Sequence, residues 1–191
     1  MILASASAIR AHLLDAAGVS FTAVPANIDE AAAKARHHDP AELARELAEA
    51  KAVAVSAQQP GEWVIGSDSV AQSGGRLFDK PAGRAEAAGH LALFSGRPLT
   101  LTSAVALVRD GRVDWTCVDT ATLHVRPLSA DFIDAYLDAE WPAVAGCVGV
   151  FRMEGRGVTL FSAIDGSHFT ILGLPLLPLL GALRERNVLP S

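Results

Sequence analysis

A chain of 191 residues that is half hydrophobic and only 19% charged can bury a sizeable core, which excludes a disordered or tail-like protein. Its formal net charge of −5, with no run of Lys or Arg, excludes bulk attraction to nucleic acid but leaves room for a small anionic ligand where a few cations converge. Cys117 and Cys147 stand at no zinc-ligand spacing and read as reduced core thiols of a cytoplasmic protein; with no basic segment before a long apolar stretch and prolines at 175 and 178 in "FTILGLPLLPLLGAL", neither a signal peptide nor a membrane partner is expected.

In chain order, Ile2 to Ala4 predicts a short buried strand. Ser7 can cap a helix to about Ala17, with Ile9, Leu13, Leu14 and Ala17 at helical spacing and Gly18 as its stop. "VSFTAVPANIDE" reads as a second short strand, a proline break, and a loop holding Asp29 and Glu30. Asp39-Pro40-Ala41-Glu42 has the form of a capping box with proline at the first helical position, and its helix reaches about Ala57 along a stripe of Leu43, Leu47, Ala50 and Ala54. "WVIGSDSVA" is an apolar strand, Trp63 to Ile65, that ends in Gly66-Ser67-Asp68-Ser69. "GGRLFDKPAG" is a turn, a short extended piece and a proline, and a helix follows from about Arg84 to Phe94.

Residues 99–108 and 113–125 predict two strands joined at Asp110-Gly111, a hairpin signal. Ser129 can cap a helix to about Ala139. A Gly-rich connection leads to a strand near Val158–Ala163, another near Phe169–Leu172, and a last helix from about Pro175. Strands alternating with helices around one hairpin predict an α/β fold with a mixed, twisted β-sheet flanked by helices, and no repeat or linker divides residues 1–191 into more than one domain.

Three features carry chemistry. In "MILASASAIRAHLL" a strand runs into a helix N-terminus beside Ser5, Ser7 and Arg10. Free backbone N–H groups, two hydroxyls and a guanidinium make a phosphate cradle, or else Ser7 is a plain N-cap and Arg10 a solvated helix residue. Lys51 borders the buried face of its helix, so it either snorkels to solvent or points into a site. Asp68 lies just past an apolar strand, where α/β proteins build ligand crevices. With Glu30 it could hold a divalent metal, or act as a general base on water; the alternative is an ordinary Asx or Ser turn at Asp68-Ser69. Lys80, held extended before Pro81, is a second cation. No phosphate loop, dinucleotide fingerprint, nucleophile elbow or HExxH motif occurs. The six histidines show no ligand spacing, and His37-His38 reads as solvated.

Taken together, "LASASAIRAHLL", "NIDE", "AEAKAVAV", "VIGSDSV", "GRLFDKP", "LFSGR", "AGCVGVFRMEGRGVTLF" and "GLPL" resemble, in order, the motifs of the Maf family of nucleoside triphosphate pyrophosphatases. The resemblance runs from residue 2 to about residue 185. It implies two lobes around a nucleotide cleft, hydrolysis of a nucleoside triphosphate to the monophosphate and pyrophosphate, and a divalent cation, Mg²⁺ or Mn²⁺, as cofactor. By position, Asp68 matches the catalytic aspartate that accepts the proton. Glu30, Lys51 and Lys80 match the other polar catalytic positions, with Glu30 and Asp68 as metal ligands. Ser5 and Arg10 match the N-terminal phosphate-binding motif, and Ser7, Ile9, Ser69 and Glu154 fall with them among substrate-binding positions.

The resemblance also bears on the base. Where the family's pyrimidine branch carries arginine and glutamine, this chain has Ile9 and Glu154, which is similar to the branch acting on 7-methyl-GTP. A carboxylate can accept from both N1–H and the amino group of a guanine edge, and it favours a cationic methylated base. Ile9 departs from the aromatic residue that branch can carry there, Ala8 from the usual proline, and Asp79 from the usual glycine. Alternative expectations are a dTTP/UTP pyrophosphatase and a non-catalytic regulator of septum formation. Two acids and two lysines at these spacings favour the enzyme. A homodimer is a family-level expectation.

Overall fold

The computed structural model describes residues 1–190. Its elements in chain order are β1 (Ile2–Leu3), α1 (Ala8–Ala16), β2 (Thr22–Ala23), α2 (Ala31–Arg36), α3 (Pro40–Ser56), β3 (Trp63–Ser73), β4 (Arg76–Phe78), α4 (Arg84–Phe94), β5 (Pro98–Arg109), β6 (Arg112–Val125), α5 (Ala130–Glu140), β7 (Phe161–Asp165), α6 (His168–Ile171) and α7 (Leu176–Glu185), with a 3₁₀ turn over Arg156–Leu160 before β7. The strands order as β2-β1-β3-β5-β6-β7, with β4 on β3. β1 pairs parallel with β2 and β3, while β3–β4 and β6–β7 are antiparallel. This is the mixed sheet flanked by helices that the α/β alternation predicts. No helix among the described residues is long and apolar enough to cross a membrane.

The chain divides into two compact units. The first holds Met1–Ser69, Thr102–Asp119 and the chain from Ser167 onward; the second holds Val70–Leu101 and Thr120–Gly166. In the first unit, Leu3, Ile65, Val105 and Leu107 from the strands pack with Leu13 and Leu14 of α1 and Leu176, Leu179 and Leu183 of α7. α1 starts as its sequence requires: Ser7 Oγ accepts the Arg10 N–H at 3.4 Å, and Gly18, at φ +72°, turns the chain out of the helix. α3 is capped by Asp39, whose Oδ1 accepts the N–H groups of Ala41 at 2.8 Å and Glu42 at 3.0 Å. The second half of the capping box does not form, because Glu42 turns instead toward His37 at 3.4 Å.

The buried face of α3 is Leu43, Ala44, Leu47, Ala48, Ala52 and Val55, which moves the stripe off the expected Ala50 and Ala54. The displacement has a cause in β3. A Cβ on Gly66 would lie 2.1 Å from the Ala48 carbonyl oxygen and 2.8 Å from the Ala52 Cβ. Helix backbone therefore rests directly on strand backbone, through two alanines and one glycine.

In the second unit α4 packs on α5, where Arg84 reaches Asp134 at 3.3 Å and Asp138 at 2.6 Å. Phe78 of β4 stands edge-on to His90 and Phe94 of α4 at centroid distances of 5.1 and 4.7 Å. The β5–β6 turn, which belongs to the first unit, has Asp110 at φ +49° and Gly111 at φ +73°, the primed turn that the Asp-Gly pair predicts.

Four expectations change. The segment before α3 is not all loop: "AAAKAR" forms α2, supported by the Glu30–Lys34 pair one helical turn apart at 3.3 Å. The expected strand at Val158–Ala163 is a 3₁₀ turn followed by β7. The expected strand at Phe169–Leu172 is the helical turn α6, which Gly173, at φ +91°, ends. His37 is not freely solvated, since its Nε2 lies 2.5 Å from Glu46 Oε2.

The backbone contact at Gly66 yields a direct test. Gly66→Ala must push α3 off β3, and overpacking of this kind costs about 2 kcal/mol or more. The expected result is a melting temperature lowered by roughly 4–8 °C or more. Gly89→Ala in α4, where a Cβ meets nothing within 4 Å, should by contrast hold or raise it, by up to about 1 kcal/mol in helix propensity. Equal melting temperatures for Gly66→Ala and the parent chain would refute the contact.

Candidate functional site

The site in the first unit grows from the alternation of β3. Successive side chains on a strand face opposite sides, so Gly66 and Asp68 share one face and Ser67 and Ser69 the other. Gly66 faces α3, and so does Asp68. Lys51 sits on α3 one turn past Leu47 and Ala48, and the close approach at Gly66 brings its ammonium to the strand. Lys51 Nζ donates to Asp68 Oδ1 at 2.5 Å and stands 2.7 Å from Glu30 Oε1. The Lys51 and Asp68 side chains are 14% and 13% exposed and that of Glu30 37%, so this is a half-open charge cluster rather than a core ion pair. Lys51 therefore does not snorkel to solvent; its ammonium turns inward, onto Asp68 and Glu30.

Asp68 itself lies inside β3, not past its end as expected. β3 continues to Ser73 because Ser67 and Ser69 are held in the fold instead of turning the chain. Ser67 Oγ, fully buried, lies within donating distance of the Ala104 and Gly173 carbonyls, at 2.8 and 2.9 Å. Glu30 is placed by α2: it stands at the helix N-terminus, while Asp29 Oδ1 accepts the Ala31 N–H at 2.9 Å. Burial pushes the Glu30 carboxyl up, but the hydrogen bond and charge of Lys51, followed by those of Lys34, outweigh it and hold the group below its ordinary value.

Arg10 is not a solvated helix residue. Its Nε donates to the Gly173 carbonyl at 2.8 Å, Nη1 to the Ser67 carbonyl at 3.0 Å and Ser5 Oγ at 3.4 Å, and Nη2 to Ser69 Oγ at 3.0 Å. Burial pushes the guanidinium down from its ordinary value, and the charges of Asp68 and Glu30 push back; it stays a cation. Ser5 is buried and its Oγ also accepts the Ser7 N–H at 3.1 Å. Ile9 is half-buried on α1 and carries no polar group to the cluster.

Behind Ser69 runs a chain of groups the sequence reading missed. Ser69 and Ser103 hydroxyls lie 2.8 Å apart, and Ser103 donates its one proton to the Thr170 carbonyl at 2.8 Å, so Ser69 is the donor between them. Thr170 Oγ1 in turn hydrogen-bonds the Asp119 carboxylate. Ser103 and Thr170 are fully buried. Serine and threonine inside "LTSAVALV" and "FTIL" were the available signal, since a hydroxyl in an apolar run needs a partner.

Lys80 and Glu154 belong to the second unit, and both are exposed there. The Cys147 thiol, pushed up by burial and then by Glu154, also feels Arg152 and Lys80, which pull it down. Glu154 lies on a turn with a built foundation. Glu140, 6% exposed, accepts from Arg152 Nη2 at 2.9 Å and Nε at 3.2 Å, and from the Arg156 backbone N–H at 3.3 Å. One buried carboxylate thus grips the chain on both sides of Glu154. Gly157 closes the turn, where a Cβ would lie 2.4 Å from the Arg152 carbonyl oxygen.

Chemically, the first-unit cluster offers two carboxylates and a lysine around one point, with an arginine-held serine row behind. Comparison with known proteins identifies the family. The model of the family described as "Maf-like protein" matches residues 1–186. A protein of Nitrobacter winogradskyi named nucleoside triphosphate pyrophosphatase is 48% identical, over 99% of this chain and 95% of its own length. Proteins of Rhizobium etli and Rhizobium meliloti named 7-methyl-GTP pyrophosphatase are 48% and 47% identical, over 97% and 100% of this chain and 95% and 98% of theirs. By the family match and these full-length likenesses, the chain belongs to the Maf family.

Proposed function

We propose that this chain is a nucleoside triphosphate pyrophosphatase, with Asp68 as the group that takes the proton of the attacking water. The observation that carries the reading is the convergence of Glu30, Lys51 and Asp68 on a shared point at 2.5–2.7 Å in a half-open setting. In the reaction a water oxygen bonds to phosphorus, the bridging P–O bond between the α and β phosphoryl groups breaks, and pyrophosphate leaves. The water proton passes to Asp68. Charge on the phosphoryl oxygens needs fixed cations, and Lys51 and Lys80 are the residues assigned to supply them.

A divalent cation, Mg²⁺ or Mn²⁺, suits the donor set. Glu30 and Asp68 supply hard carboxylate oxygens that the Lys51 ammonium bridges at 2.7 and 2.5 Å, and no group of three or more His, Cys, Asp or Glu gathers among the described residues. Two carboxylates with the remaining ligands from substrate phosphates is the way Mg²⁺ is commonly held. When bound, it would neutralise charge on the phosphate oxygens.

For the base we assign Glu154, with 7-methyl-GTP preferred over dTTP and UTP. Relatives named for 7-methyl-GTP stand beside relatives named for nucleoside triphosphates in general, and Glu154 sits on the turn that Glu140 anchors. An exposed carboxylate fixed on such a turn can accept from a guanine edge.

Pyrophosphate release by the purified protein with Mg²⁺ or Mn²⁺, across dTTP, UTP, CTP, GTP and 7-methyl-GTP, tests the activity. Turnover is expected for 7-methyl-GTP, abolished by EDTA and lowered in Asp68→Asn by about 10²-fold or more. Full activity in Asp68→Asn would remove it from the proton-accepting role. Glu154→Gln should lower the preference for 7-methyl-GTP over dTTP by roughly tenfold or more, because a charge-assisted hydrogen bond becomes a neutral one. An unchanged substrate profile would sink the assignment of Glu154.

A further inference from the structure

The Arg10 guanidinium has five N–H donors, and four of its contacts are to this chain's own oxygens: Gly173 O, Ser67 O, Ser69 Oγ and Ser5 Oγ. A group so committed has little left for a triphosphate. We propose that Arg10 is a positioning residue, which fixes the Asp68 carboxylate by gripping the residues on both sides of it, rather than a phosphate ligand. The inference rests on the reading of Asp68 as proton acceptor.

The geometry explains why a clamp is needed at this point. β1 pairs with β3 only through Ile2 and Leu3, opposite Val64 and Ile65, and the Ala4 N–H takes the Ile65 carbonyl at 2.8 Å. Beyond Ile65 the strand outruns its parallel partner, which leaves the Ser67 carbonyl without a ladder donor on that edge. Arg10 Nη1 fills the vacancy at 3.0 Å, and Nη2 takes the Ser69 hydroxyl. The main chain at 67 and the side chain at 69 are therefore held by one rigid plane, with Asp68 between them on the opposite face. The hold continues inward. Ser69 donates to Ser103, Ser103 to the Thr170 carbonyl, and Gly173, whose added Cβ would meet Ser69 Oγ at 3.0 Å, presents its carbonyl to both Arg10 and Ser67. Ser103 is fully buried, so it acts on the reaction only through Ser69.

The two roles for Arg10 separate in kinetics. A phosphate ligand lost on substitution weakens nucleotide binding. A lost clamp leaves binding in place and misplaces the carboxylate, and a misplacement of about 1 Å can cost roughly 10²-fold in rate. The test measures kcat with the nucleotide the parent chain turns over, and Kd for the α,β-methylene analogue of that nucleotide, in Arg10→Lys and Ser103→Ala. Arg10→Lys is expected to lose about 10²-fold in kcat with Kd within about threefold. Ser103→Ala, a smaller change that leaves Arg10 in place, should lose about tenfold in kcat with Kd unchanged, and it serves alone should Arg10→Lys not fold. A rise of tenfold or more in Kd with kcat retained, or no change of kcat in either variant, overturns the proposal while the enzymatic reading stands. A parent chain that turns over no nucleotide overturns both.

Discussion

The backbone contact between α3 and β3 at Gly66 is the constraint on which the site depends. Nothing larger than glycine fits there, and the facing helix positions are the alanines 48 and 52. At this separation a lysine one turn along the helix reaches a carboxylate two residues along the strand. With an ordinary side chain at 66 the helix would ride higher, and the 2.5 Å contact between Lys51 and Asp68 would open. A packing rule that looks purely structural thereby sets the distance between a proposed acid–base group and its cation. Glu30 joins from α2, which packs on α3, so the third member of the cluster is tied to the same helix.

Charge around this cluster is balanced locally, which reconciles a chain of net charge −5 with a proposed polyanionic substrate. Lys51 stands between two carboxylates, and Arg10 behind them is desolvated yet supported by the charges of Asp68 and Glu30. An unpaired buried guanidinium would be costly. Here carbonyl and hydroxyl oxygens supply its hydrogen bonds and the carboxylates its countercharge. The second unit fixes a segment with a buried charge of the opposite sign. There Glu140 holds Arg152 and the Arg156 N–H, and so the turn between them.

Much of this was legible in the amino-acid sequence. Caps and periodicity place α1, α3, α4 and α5 within a residue or two, and Asp110-Gly111 places the hairpin, because these signals are local. The site residues of the first unit were legible as residue types at motif spacing, but their geometry was not. "GSDS" has the composition of a turn, and partners far along the chain, among them Ala104 and Gly173 for Ser67 and Ser103 for Ser69, keep it extended. "FTIL" has the composition of a strand, yet it is one helical turn whose Thr170 carbonyl takes Ser103. Arg10 could be read as a ligand or as a surface residue; its four acceptors come from residues 5, 67, 69 and 173, and no local pattern links them. Where the determinant is a partner far along the chain, propensity yields to tertiary context. α2 is a different case, since Glu30 and Lys34 at i,i+4 in an alanine-rich run were a local helix signal.

Arg10 and Lys51 divide their roles along the lines their chemistry allows. A guanidinium is planar, always charged and has donors in fixed directions, which suits a clamp that must hold a carbonyl, a hydroxyl and a turn at once. An ammonium is a compact charge on a flexible stem, with three donors that can be redirected by rotation. Lys51 meets two carboxylates in its present pose and keeps a third N–H, so it can shift toward a phosphate oxygen without the fold having to move. Exchanged between the two positions, neither residue would serve. Lysine at 10 could not bracket Asp68, and arginine at 51 would bring a broad plane into a gap that Gly66 keeps narrow.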